Sequence, residues 1–169
     1  QYINYRNNYR KGLDSRDPSG KGLYSWTWDD VHFVQLGLVA KDKRIEWSGV
    51  KMDPFQALSF LERDLELHAT STQPVVLIMH YPFIGHNDSD IRYSVEDRRR
   101  LFQIIKNHNV VALIHGHSHA SYIKRWDPCQ DVGLLGAACA TALGTNVAPS
   151  AIPVIDAGNP FYQNGNNKV

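Results

Sequence analysis

Cysteine is scarce in this sequence, which has only Cys129 and Cys139 among its 169 residues. Two thiols cannot build a disulfide scaffold or a four-cysteine metal site. The pair admits a disulfide in an oxidising compartment or two free thiols in a reducing one, and decides neither. Long apolar runs are missing too. A membrane-crossing helix needs about 20 such residues, whereas the longest candidates, such as Val75-Val76-Leu77-Ile78-Met79, have the length of a strand. Nor is there an excess of one charge. Eighteen Lys and Arg face 17 Asp and Glu, for a net charge of +1 with eight neutral histidines. That leaves no electrostatic footprint for nucleic acid or an anionic membrane surface. Gln1-Tyr2-Ile3-Asn4-Tyr5-Arg6 shows no signal-peptide pattern, and position 1 is not Met, so a processed or trimmed chain is expected. No repeat and no domain linker interrupt residues 1–169, which read as a single domain. At 43% hydrophobic, the chain has enough apolar material for one core.

What is present reads as α/β. The stretch to about Lys21 is polar, a short helix remnant followed by a loop through Asp17-Pro18-Ser19-Gly20. Leu23–Trp28 and Val31–Leu38 alternate around an Asp29-Asp30 turn and predict a hairpin. Asp53-Pro54-Phe55-Gln56 predicts a helix start, with Asp53 as N-cap, and Leu58, Leu61 and Leu65 supply one buried face. Val75–Met79 is continuously apolar, as in a strand covered on both faces. A second helix is expected from Ser94, with Glu96 and Asp97 in its first turn and Leu101, Ile104 and Ile105 inward. Val110–Ile114 is another apolar strand. The tail is rich in Gly, Ala, Asn and Pro, with short strands expected near 122–126 and 152–155.

The middle is thus a β–α–β unit whose two strands both end in histidine. His80-Tyr81-Pro82 follows the first and His115-Gly116-His117-Ser118-His119 the second. In open α/β sheets ligands gather at the carboxyl ends of strands, so two neighbouring parallel strands would bring these histidines to one rim. Imidazole is a good ligand for zinc, iron and manganese. Gly116 is expected to carry the sharp turn. Histidines two apart can face one site while Ser118 faces away. His115 reads as a supporting or packing residue. Tyr81, His86 and Asn87 lie in a loop with substrate-facing potential. Arg98-Arg99-Arg100 on a helix reads as a solvated face.

With His80 alone after a strand and Gly116-His117-Ser118-His119 after the next, the chain resembles the calcineurin-like metallophosphoesterases. That family has five blocks: Asp-x-His, Gly-Asp, Gly-Asn-His-Asp/Glu, a lone His, and Gly-His-x-His. The last two are matched. Asn8–Leu13, Gly22–Trp26 and Val31–Leu36 also look like the region after the third block in bacterial members. The resemblance implies part of a four-layer α-β-β-α sandwich and hydrolysis of a phosphoester substrate by two divalent metal ions (Mn, Fe, Zn or Co). By resemblance, His80 and His117 bind one ion and His119 the other.

The first three blocks are absent. Asp30-Val31-His32 spells Asp-x-His but falls inside the hairpin, so His32 reads as a strand residue. The chain is therefore expected to be a fragment lacking the N-terminal carboxylates, with sheet edges that invite the missing N-terminal part or another copy. Two other functions stay open: a mononuclear His₃ zinc hydrolase complete in this chain, and a catalytically dead scaffold of the same fold.

Overall fold

Alternation of aromatic and small or polar residues drives β2 (Leu23–Trp28) and β3 (Val31–Leu36) into the expected hairpin, with Trp28 paired to Val31. Asp29, at φ 57°, makes the turn, a left-handed conformation that Asp tolerates better than most residues. The computed structural model describes residues 12–18, 22–43, 45–47, 50–52, 54–84, 93–146 and 149–158. The expected N-terminal helix remnant, Asp53, His86 and Asn87 lie outside the described residues.

Besides the hairpin these residues form β1 (Ser15–Arg16), β4 (Ile45–Trp47), β5 (Val50–Met52), α1 (Ala57–His68), β6 (Pro74–Ile78), α2 (Val95–Ile105), β7 (Asn109–His115), β8 (Ser121–Trp126), α3 (Pro128–Val132), α4 (Gly136–Leu143) and β9 (Ile152–Ala157). The architecture is mixed α/β. One seven-stranded sheet runs β1-β2-β3-β6-β7-β9-β8, and β4 and β5 make a separate two-stranded ribbon. Strands β3, β6, β7 and β9 are mutually parallel, while β2 and β8 join antiparallel at the two sides. Among the described residues no helix is long and apolar enough to cross a membrane.

The sheet has two unlike faces. Leu23, Val34, Leu36, Val75, Leu77, Leu113, Val154 and Trp126 share one face and are buried together with Leu58, Leu61 and Leu65 of α1, Leu101, Phe102 and Ile105 of α2, and Leu143 of α4. The opposite face carries Trp26, Phe33, Ile78, Ile114 and Ile155, all only half-buried, and Ile123, which is 73% exposed. Trp26 and Phe33 stack there, with ring centroids 5.1 Å apart.

Several expectations need correcting. The first helix begins at Ala57, not at Pro54, because Phe55 and Gln56 are left-handed (φ 58° and 59°) and cannot open a helix. The residue that precedes the helix, Gln56, makes no side-chain cap hydrogen bond. Instead Asp42, distant in sequence, accepts from Ser59 N and Ser59 Oγ (both 2.9 Å), and Lys41 O accepts from Ala57 N. The arginine run is a solvated face only at Arg100, which is exposed, whereas Arg98 and Arg99 are partly buried. Arg98 pairs with Asp131 (2.7 Å), Arg99 donates to Asp131 O, and Arg100 pairs with Glu62, tying α2 to α3 and α1. The described tail holds helices α3 and α4 as well as the two expected strands, and a Cys129–Cys139 disulfide joins the helices.

Where the second helix was expected, Ser94 caps it. Ser94 Oγ accepts from Asp97 N while Asp97 accepts from Ser94 N, and Lys41 adds an ion pair at 2.8 Å. Partial burial pushes the Asp97 carboxyl up, but Lys41 and Ser94 outweigh it and hold the group below the ordinary value of 3.8. A depressed folded pKa gives stability that is present above the unfolded value and lost as pH falls through the folded one. Urea midpoints of Asp97→Asn should therefore lie below wild type at pH 7. The gap should close as pH drops below about 4.

Beneath α1, the buried Asp64 accepts from Ser25 Oγ (2.6 Å) and bonds His32 Nε2 (2.8 Å), and His32 Nδ1 lies 3.2 Å from Thr27 Oγ1. His32 is thus a buried strand residue with its own carboxylate. Removing Asp64 strands two buried polar groups. The expected cost of Asp64→Ala in chemical denaturation is about 3–5 kcal/mol; a loss under 1 kcal/mol would mean that the network carries little stability.

Candidate metal centre

The parallel strands β3, β6, β7 and β9 all end at one rim. Backbone hydrogen bonds stitch that rim beyond the strands themselves. Met79 N donates to Ile114 O (3.0 Å), His80 N to Gly37 O (3.0 Å), Tyr81 N to Leu38 O (2.9 Å) and Gly116 N to His80 O (3.1 Å). His80 is thereby anchored between the ends of β3 and β7.

This anchoring brings His80 to His117. Their ring centroids lie 5.3 Å apart at 74°. Two imidazoles bound to one cation through nitrogens at about 2.0–2.1 Å have centroids about 5 Å apart, and the observed spacing is close to that. The half-buried Tyr81 ring packs against both, 5.0 Å from His80 and 4.3 Å from His117. His119 follows on the same loop and is exposed. Among the described residues no group of three or more His, Cys, Asp or Glu side chains is arranged to hold a metal ion. Of the three expected ligands, His80 and His117 lie near each other, and His119 does not complete a three-ligand group with them.

The loop is not built as expected. Gly116 does not carry the sharp turn; its φ is ordinary and an added Cβ would meet open space. Instead His117 (φ 72°) and His119 (φ 56°) are themselves left-handed. The strand-like alternation assumed for residues two apart therefore does not apply, because this is a turn. A left-handed non-glycine residue costs about 1–2 kcal/mol, and such strain persists where the surroundings enforce it.

Those surroundings include Ser118 and His115 together with Asp156, which the sequence did not single out. Ser118 Oγ donates a short hydrogen bond to Asp156 and accepts from Ala120 N. Asp156 is buried and also accepts from Gly158 N (2.9 Å). His115, likewise buried, has Nδ1 3.1 Å from Gly116 O and 3.5 Å from Asp156. Since a carbonyl can only accept, that nitrogen bears the proton. Tyr122 OH approaches the other ring nitrogen at 3.5 Å. Burial and the Asp156 carboxylate together push the Tyr122 hydroxyl pKa up, so it stays protonated. The one signal available beforehand was a lone acid closing the apolar run Ile152–Ile155.

No protein-family model matches the chain, and no curated protein matches its sequence. The likeness to the phosphoesterases rests on the motifs quoted above.

The strain is measurable. His117→Gly should be more stable than His117→Ala by about 1 kcal/mol, because only glycine adopts that φ freely. Thermal melts of both variants check this, and equal stabilities would mean that residue 117 is not held left-handed.

Proposed function

We propose that the rim carrying His80, His117 and His119 is the histidine portion of a two-metal site, and that the protein hydrolyses a phosphoester. The observation that carries this reading is the meeting of His80 and His117 from the carboxyl ends of adjacent parallel strands. Such rims are where α/β sheets gather ligands. His80 and His117 would hold one divalent ion and His119 the other, with Mn, Fe, Zn and Co all compatible with imidazole. When bound, such ions polarise phosphoryl oxygens and supply the nucleophile for in-line displacement. The chain's own part is to present imidazoles from a stitched rim, with the Tyr81 ring packed against His117.

The four-layer sandwich belongs to the same reading. Its support is the sheet face bearing the half-buried Trp26, Phe33, Ile78, Ile114 and Ile155 and the exposed Ile123, an incompletely covered surface that suits a second sheet packed about 10 Å away. A contiguous apolar face of this kind marks an interaction surface. The covering layer would be the remaining part of the domain or another copy, and it would supply the carboxylates that complete the site.

Cobalt or zinc titration tests this directly. The 169-residue chain should bind metal weakly, and His80→Ala and His117→Ala should each weaken binding about tenfold or more, while His108→Ala, away from the rim, leaves it unchanged. Hydrolysis of an aryl phosphate by this chain alone should be negligible. Substantial turnover abolished by His117→Ala would contradict the need for a second layer. One tightly bound zinc requiring all three histidines would favour the mononuclear hydrolase, and no metal binding at all would favour the scaffold.

A further inference from the structure

Two consecutive demands meet in the loop after β7. His117 and His119 are both left-handed, a conformation uncommon for any residue with a side chain, and a buried carboxylate lies directly beneath the residue between them. Asp156 stands opposite His115 on β7 and opposite Tyr122 on β8, so these three share one cross-strand row at the rim. A buried carboxylate is tolerated only when its oxygens are bonded. Here one oxygen accepts from Gly158 N, and the other accepts from Ser118 Oγ and faces His115.

The backbone after Asp156 closes against the same loop. Gly158 is left-handed (φ 63°), and a Cβ there would overlap Ser121 Oγ and lie 3.1 Å from Ala120 O. The end of β9 thus presses on the loop exit, while its carboxylate grips the loop centre. Ser118 is the pivot, since its hydroxyl donates to Asp156 and accepts from Ala120 N.

We propose that Asp156 is the positioning residue of this loop, acting through Ser118 to keep His117 and His119 left-handed and their imidazoles presented at the rim. The claim about function rests on the metal reading above; the claim about conformation does not. Ser118 is therefore not a spacer that merely faces away from the ligands. It transmits a conformational constraint from β9 to both neighbours.

The test uses Ser118→Ala, Ser118→Thr and Asp156→Asn in the full chain, with two readouts. The first is cobalt affinity. Ser118→Ala and Asp156→Asn should lose about 10- to 100-fold, and Ser118→Thr, which keeps the hydroxyl, should retain wild-type affinity. The second is metal-free. Backbone chemical shifts of His117 and His119 should depart from their positive-φ values in Ser118→Ala but not in Ser118→Thr. If Asp156→Asn does not fold, the serine pair alone carries the comparison. Absence of cobalt binding in the wild type would remove the metal reading, and the chemical shifts would then decide the positioning role by themselves. Unchanged shifts at 117 and 119 in Ser118→Ala would overturn the proposal.

Discussion

The parallel ladder between β6 and β7 is the constraint on which the rest of the candidate site depends. Because Leu77 lies opposite Leu113 and Ile78 opposite Ile114, the two strands finish level with each other. The chain then continues the pairing past both ends, through Met79 N to Ile114 O and Gly116 N to His80 O. A shift of one residue would send alternate side chains to the other face, and His80 and His117 would no longer share a rim. The apolar residues Val75, Leu77 and Leu113 hold that register, since slippage would expose them. Core packing and ligand placement are therefore a single requirement in this sheet.

Polar groups under the sheet follow the same economy. Two pairs of ionisable side chains are buried on the helix-covered face among the described residues, His32 with Asp64 near one end and His115 with Asp156 near the other. The first pair ties α1 to the hairpin and lies far from the rim. The second lies immediately beneath the histidine loop. Similar chemistry thus serves stability in one place and, in our reading, positioning in the other. The difference is made by where each carboxylate sits along the strands.

The two sheet faces divide the labour differently. Four helices contribute to the core on one face, and the arginines of α2 lock three of them together. On the other face Trp26, Phe33, Ile78, Ile114 and Ile155 are only partly covered, although Val76 is buried. That asymmetry is what makes a second packed layer the natural completion of the architecture in the proposed reading.

Local pattern alone determined much of this protein. The hairpin at 23–36, the helix capped by Ser94, the apolar strands ending at His80 and His115, and the inward leucines of α1 were all legible. In each case the signal, alternation, a cap or helical spacing, lies within about a dozen residues. Tertiary structure decided what depends on distant partners. Asp42 bonds the first turn of α1 from outside the helix, Glu62 and Asp131 turned a charged run into inter-helix ties, and β9 inserted itself beside β7. That last placement put Asp156 under Ser118 and allowed two histidines to adopt a backbone that glycine usually supplies. Periodicity cannot foresee such a thing, because the hydrogen bond that anchors the loop comes from one residue nearly forty positions away.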